Sequence, residues 1–576
     1  MAHLPIRPIA PQPEGPKSIC DLIDYWAERS PNHTALLSES RKVTYKELNS
    51  AATRIAWILV RRGVQPGQVV PVLATRTCEM VAAFLGVLKT GACYVPIDVD
   101  AWGEDRILST LERVSARVVV NLGNSTSFAD YNVVTRGEIE AAFNPISDEQ
   151  EVKGELYQAK IKPTDLVYIV FTSGTTSQPK GVMIPHQALL NYVQQGDEEA
   201  PFNTCPGPED KSLLTFSPGF DAGTGVVFAA ICNGSQLIVV NVSDFEKWVT
   251  QATIIAITPS MLSAIHNVEA CSRVRTLILG GEPPHARLIE KWTAPGRNIY
   301  NGYGPSETTV GSLIARVGPS KPITLGRPMS NSRVILLDGD EEADYGEICL
   351  TGPGLAIGYY QDEATTAQKF VYWRGERMYR TGDFARRTEH GLEYAGRVDS
   401  FVKNRGFLVN IDSQVIPMLL HTEEIHTATA FMHKERLVAF VTPAGIDTRA
   451  LRQRLYKSND AFIVPDQIRA LAKLPLTANG KADNKSLRQL LESEMSVEEL
   501  ESNIPEENIS QLSKIEILKL AVATATALPL SLVSETSSFS ELGGNSCKYA
   551  QRHLILLQTH SWILGLSLQP VILYRK

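Results

Sequence analysis

The sequence lacks the marks of several large protein classes. It has no run of about 18 consecutive apolar residues, the length a helix needs to cross a bilayer. Its proline-rich start, MAHLPIRPIAPQPEGPK, lacks the apolar stretch of a secretory signal. It has no basic excess: 56 Lys and Arg against 63 Asp and Glu give a formal net charge of -7. Neither nucleic acid nor an anionic membrane is therefore expected as a main partner. Eight cysteines are scattered without a CxxC pair, which argues against a disulfide framework or structural zinc and fits a reducing compartment. No GxxxxGK[ST] segment occurs, so a Walker-type phosphate loop is excluded. The expectation is a cytosolic chain that acts on a small molecule.

What is present fits a large soluble globular protein. A hydrophobic content of 43% and a charged content of 21% are ordinary for globular proteins, and 576 residues leave room for about three or four domains. Strand-like runs (VVPVLA, ARVVVNL, SQLIVV, IIAIT, VRTLILGG) alternate with helix-like ones such as EMVAAFLGVLKTG. That alternation predicts an α/β fold with mixed or parallel sheets over 1–395. Shorter segments over 396–490, with a hairpin-turn signal at Asn479-Gly480, predict a small α+β subdomain. An acidic, polar stretch over 491–510 has linker composition, and the helical periodicity of KIEILKLAVATATAL opens a third, partial helical module over 511–576.

The stretch FTSGTTSQPKG, from Phe171 to Gly181, carries five hydroxyl side chains and one lysine between the strand-like LVYIVF and the helix-like ALLNYV. A loop at a strand end is where α/β proteins place ligands. Its glycines allow close backbone approach, and its hydroxyls and N–H groups offer donors to an anion. Phosphate suits that chemistry; a solvated Ser/Thr/Gly turn is the plain alternative.

Nine motifs in one order carry a family likeness: VTYKELNSAATRIAWIL, LKTGACYVPID, FTSGTTSQPKG, NGYGPSETT, GEICLTGPGLAIGYY, YRTGD, GRVDSFVKNRGF, PLTANGKAD and LGGNS. The chain resembles the adenylate-forming superfamily, most closely the adenylation domain of a nonribosomal peptide synthetase followed by a carrier domain. The resemblance runs from about Cys20 to the end. It implies an adenylation core over 1–395, a mobile subdomain over 396–490 and a carrier over 511–576. Thr172, Ser173, Gly174, Thr175, Thr176 and Lys180 would hold the phosphates of ATP, with Ser177 standing where the family usually has a third glycine. Tyr303 would stack on adenine and Glu307 would help to hold magnesium. Asp383 would accept the ribose hydroxyls, with Arg397 near the ribose or phosphates. Lys481 would reach both the substrate carboxylate and the α-phosphate, and Asp399 would be the hinge of the mobile subdomain.

In amino-acid-activating members an aspartate pairs with the substrate ammonium, and Asp221 of FSPGFDAGTGVVF stands in that place. The other pocket positions align to Ala222, Gly225, Ala256, Ile278, Gly280, Gly302, Val310 and Gly311. A lining this small leaves room for a bulky side chain, with an aromatic amino acid, tryptophan first, as the expectation. Ser546 of LGGNS would bear 4'-phosphopantetheine, attached by a phosphopantetheinyl transferase, and downstream synthetase or tailoring enzymes would take the product. Only 30 residues follow Ser546, and the last of four carrier helices is not evident, so weak or absent loading of the arm is expected. The segment LVNIDSQVIPML replaces the family's usual glutamate-rich stretch. Two other readings stay open: an acyl- or aryl-CoA ligase, against which Ser546 and Asp221 argue, and an inactive remnant that serves as a binding partner.

Overall fold

The structure, a computed structural model, describes residues 15–492 except 124–127, 129, 145–158, 173–178, 195–203, 242–243, 266, 398–399, 405–406, 435, 461 and 478–479. The chain folds as two compact units. One takes in the described residues up to Val398 together with Leu476–Lys481; the other takes Asp399–Pro475 and the described residues from Ala482 onward.

Two large sheets and a smaller antiparallel one build the first unit. At the centre of a nine-stranded sheet, Asn298–Tyr303, Thr276–Gly280, Ile254–Ile257, Lys211–Leu213, Gln236–Ile238 and Thr34–Leu37 run parallel in that spatial order. A seven-stranded sheet has Leu166–Thr172, Cys93–Asp98, Val69–Ala74, Val118–Asn121 and Asn132–Thr135 as its parallel run. Parallel strands need covering helices on both faces, and the helices supply them. Ile19–Arg29, Tyr45–Arg61, Cys78–Lys89, His186–Val193 and Asp221–Ile231 share one core with residues of both sheets, among them Val72, Tyr94 and Tyr168 of one and Leu36 and Leu237 of the other. A further core, with Leu277, Leu279, Ile255 and Ile257, lies on the opposite face of the nine-stranded sheet.

Local sequence explains the helix boundaries. In VTYKELNS the Thr44 hydroxyl accepts from Glu47 N at 3.2 Å and the Glu47 carboxylate accepts from Thr44 N at 2.8 Å. This reciprocal cap starts Tyr45–Arg61. Leu48, Ala51, Ala52, Ile55 and Leu59 then recur at helical spacing and are buried.

Both elements expected around the hydroxyl-rich stretch are present, with one unforeseen strand between them. Leu166–Thr172 is a strand and His186–Val193 a helix, but Lys180–Pro185 is a second strand, antiparallel to the first, with Thr172 opposite Lys180. The loop joins a strand pair; it does not lead directly into a helix. KGVMIP is too short and too interrupted by glycine and proline for its period to betray a strand.

The second unit pairs Phe401–Asn404 with Phe407–Asn410, and packs Thr427–His433, Arg436–Thr442 and Gln467–Ala470 into a three-stranded sheet. Helix Thr448–Ser458 bridges the parallel pair of that sheet. Its own core centres on Val409, Leu419, Leu437, Val441 and Leu451. The unusual LVNIDSQVIPML runs from strand Phe407–Asn410 into a π-helical turn, Ile411–Val415, and a short helix, Ile416–Leu420.

Candidate active site

Along each central strand of the nine-stranded sheet the side chains alternate. Ile255 and Ile257 enter the core on one face while Ile254 and Ala256 turn to the other; Leu277 and Leu279 alternate likewise with Ile278 and Gly280. The second set, with Gly302 of the next strand, lines a cavity of about 130 Å³. Helix Asp221–Ile231 contributes Asp221 and Ala222, and the loop after Ser306–Thr308 contributes Val310 and Gly311. Thr309 and Val310 both have left-handed backbone, with φ of 60° and 67°, a conformation β-branched residues adopt only when their surroundings impose it.

Gly225 differs from its expected place. It does not line the cavity: a Cβ there would meet Val310 Cγ1 at 2.7 Å and Tyr192 Cε1 at 3.2 Å, so it lies behind the wall and makes room for it. Sequence reasoning did not find the aromatic part of the lining, Tyr192, Phe216 and Phe220, nor Met329. Phe216 and Phe220 flank the turn just before Asp221, and Tyr192 closes the helix His186–Val193; each reads as an ordinary core aromatic in the sequence.

The turn that presents Asp221 is pinned from the other sheet. Ser217 Oγ donates to Asp98 Oδ2 at 2.6 Å and accepts from Gly219 N at 3.2 Å. Asp221 then opens its helix, with Oδ1 accepting from Ala222 N at 2.8 Å. It is only 3% exposed. Burial pushes its pKa up to about 6, against the opposing effects of a hydrogen bond with Ser306 and the charge of Lys481.

Lys481 follows a tight turn in which Gly480 N donates to Thr477 O at 2.8 Å and Thr477 N donates to Lys481 O at 2.7 Å. Its Nζ lies 5.9 Å from the centre of the Phe220 ring. The lysine stem passes beside Gly281, where a Cβ would be in ordinary van der Waals contact with Lys481 Cε at 3.4 Å.

A second cluster holds the residues expected to meet the nucleotide. Asp383 is buried, and its carboxylate accepts from Tyr303 Oη at 2.6 Å, Arg397 Nη1 at 3.1 Å and Tyr394 Oη at 3.3 Å. Desolvation raises its pKa, with Arg397 opposing. The three donors leave part of the carboxylate's acceptor capacity free for a ligand hydroxyl. Glu307 Oε1 accepts from Tyr359 Oη at 2.6 Å, and Lys180 Nζ stands 5.5 Å from the Tyr359 ring centre. Among the described residues no group of three or more His, Cys, Asp or Glu could hold a metal. One carboxylate fits a magnesium ion that takes its other oxygens from phosphates and water. Ser173, Gly174, Thr175, Thr176, Asp399, Asn479 and Ser546 lie outside the described residues, as do the acidic linker from 493 and the expected carrier. Among the described residues no helix is long and apolar enough to cross a membrane.

A family model described as AMP-binding enzyme matches residues 23–360. With more than half its length matched, the chain belongs to this family of adenylate-forming ligases. It is 40% identical over 544 residues to the nonribosomal peptide synthetase tcpP of Claviceps purpurea (strain 20.1), covering 92% of this chain and 26% of that protein. The chain thus spans about a quarter of the length of the curated relatives it matches. Among solved structures it is similar to Klebsiella oxytoca NpsA in complex with 3-hydroxyanthranilyl-AMSN, with a TM-score of 0.72, 23% identity, 83% of this chain covered and 100% of that one. It is also similar to the anthranilate CoA ligase AuaEII in complex with anthranoyl-AMP, with a TM-score of 0.70, 21% identity and coverage of 82% and 97%. At these identities the structural likenesses are likenesses of fold.

Proposed function

We propose that this chain activates the carboxylate of an aromatic α-amino acid as its adenylate and passes the acyl group to a carrier-borne phosphopantetheine thiol, as one part of a nonribosomal peptide synthetase. The observation that carries this reading is the buried Asp221 carboxylate on the wall of a cavity otherwise lined largely by apolar and glycine residues. A buried carboxylate without a cation is unfavourable, and a substrate ammonium would supply one. The small lining at Ala222, Ala256, Gly280, Gly302 and Gly311, with Phe216 and Phe220 beside it, suits a flat, bulky side chain.

The first half-reaction needs no general base, because the carboxylate is already ionised near neutral pH. One of its oxygens attacks the α-phosphorus of ATP, the bond to the β-phosphate oxygen breaks, and pyrophosphate leaves. The barrier is that of bringing two anions together, so positioning and cationic neutralisation serve it. Lys481 would lie between carboxylate and α-phosphate. Lys180 and the hydroxyls from Thr172 to Thr176 would hold the terminal phosphates, while Asp383, Arg397 and Tyr303 would take ribose and adenine. Magnesium, held by Glu307, supplies further positive charge at the phosphates when bound. In the second half-reaction the thiolate attacks the acyl carbonyl and AMP leaves. Ser546 would carry that thiol once a phosphopantetheinyl transferase has modified it, and Asp399 would be the hinge between an adenylation core and a mobile subdomain.

Pyrophosphate exchange across a panel of amino acids tests the reading: aromatic amino acids should stimulate it most. The likeness of fold to an anthranilate CoA ligase favours a second reading, an aryl-CoA ligase. Stronger exchange with a deaminated aryl acid than with the matching amino acid would select it. For the carrier, coenzyme A and a phosphopantetheinyl transferase should add the arm to the parent weakly or not at all, and to Ser546→Ala never, as read by intact mass, with exchange equal in both; efficient addition at Ser546 would show that the short carrier module folds. An arm found elsewhere would remove the assignment.

A further inference from the structure

The turn that carries Lys481 is fastened at one side chain that no catalytic role explains. Thr258 directly follows strand Ile254–Ile257 and is fully buried. Its Oγ1 donates to Gly480 O at 3.0 Å and accepts from Met261 N at 3.2 Å. The same hydroxyl therefore caps helix Pro259–Ser263 and grips the carbonyl immediately before Lys481. Gly480 is seated closely: it has φ of +73°, and a Cβ on it would come within 2.4 Å of Met261 Sδ and 2.9 Å of Thr258 Oγ1. On the other flank Thr258 Cγ2 would stand 3.7 Å from a Cβ at Gly281, the same glycine beside which the lysine stem passes. Ala256, two residues before Thr258, lines the substrate cavity.

We propose that Thr258 is a positioning residue for the adenylation step: its hydroxyl latches the Gly480 carbonyl and thereby sets the depth and direction of Lys481 at the cavity. Serine can supply the same bond, whereas valine has the same shape and no donor. A lysine that must meet developing charge between two anions loses much of its effect when displaced by a fraction of its reach. The latch acts only through the lysine, so its loss is invisible when the lysine is absent. This inference rests on the role proposed above for Lys481.

The test is a double-mutant cycle read by amino-acid-dependent pyrophosphate exchange in the full chain, with Thr258→Val, Thr258→Ser, Lys481→Ala and Thr258→Val/Lys481→Ala. The expected result is that Thr258→Val lowers the maximal exchange rate about tenfold, the scale of one lost hydrogen bond, with KM for ATP and amino acid little changed. Thr258→Ser should restore the rate, and Thr258→Val should add nothing to Lys481→Ala. Melting curves read the helix cap separately, since Thr258→Val also removes it. If Thr258→Val fails to fold, Gly480→Ala, which pushes the same carbonyl off the same hydroxyl, takes its place in the cycle. An equal loss in both backgrounds, or a full rate in Thr258→Val, overturns the latch while leaving Lys481 in its role. A full rate in Lys481→Ala overturns that role and the latch with it.

Discussion

At the scale of single residues, Asp221 ties stability to substrate choice. Its carboxyl holds its proton up to about pH 6 in the fold, against a usual value of 3.8, so the folded state binds the proton more tightly than the unfolded one. Stability from this group is therefore highest below pH 4, falls as pH climbs from 4 to 6 and stays low above that, a difference on the order of 3 kcal/mol. Asp221→Asn, neutral throughout, should melt close to the parent at pH 4 and above it at pH 7; a gap that does not widen with pH would contradict the buried-charge account. Substrate should reverse the sign, because an ammonium partner favours the ionised form. KM for the amino acid should rise as pH drops through 6 in the parent and be high and flat in Asp221→Asn. Lys481→Ala should lower pyrophosphate exchange by about two orders of magnitude, as for a lost cation at developing charge, with ATP binding little altered in equilibrium titration. Asp221 was legible in the sequence because it lies in a quotable motif. Thr258 was not, because its significance comes from a contact 222 positions away.

At the scale of elements, the turn and helix around Asp221 act as one rigid piece. The Ser217–Asp98 hydrogen bond fixes the turn, and the helix starts hard against it: a Cβ at Gly223 would lie 2.2 Å from Ser217 O. Gly223→Ala must push the helix start away, with a loss of about 1–3 kcal/mol and a displaced Asp221. The expected outcome is a lower melting temperature and a KM that rises for the amino acid much more than for ATP. Unchanged amino-acid KM in a destabilised variant would show that the turn absorbs the strain without moving the carboxylate. The parallel strands and covering helices were readable from their uniform apolar runs, since elements buried on both faces show no other pattern. Strand Lys180–Pro185 was hidden, because its pairing with Leu166–Thr172 and not its own composition makes it a strand. Gly225 was misplaced by one layer for a related reason: small residues mark both a cavity wall and the packing behind it, and only the facing Val310 and Tyr192 tell them apart.

At the scale of the molecule, each of the two units closes its own core. The first unit's two largest cores are built on its two large sheets, and the second gathers Val409, Leu419, Leu437, Val441 and Leu451 around a three-stranded sheet. Cores that close separately need not melt together, so two-state behaviour is not expected of the whole chain. Calorimetry should resolve a large transition and a smaller one, in keeping with the sizes of the units. The lining of the cavity, Asp221, Asp383 and Lys481 all fall within the first unit. A non-hydrolysable aminoacyl-adenylate analogue should therefore raise the large transition by mass action, by about 3 kcal/mol at a hundredfold excess over its Kd. The smaller transition should move only as far as holding the Lys481 turn in place constrains the segments joined to it. Removing that turn's charge with Lys481→Ala should weaken the shift of the large transition, and releasing its anchor with Thr258→Val should uncouple the smaller one from the ligand. A single transition that moves as a whole with ligand, in the parent and both variants alike, would mean that the two cores melt as one cooperative body.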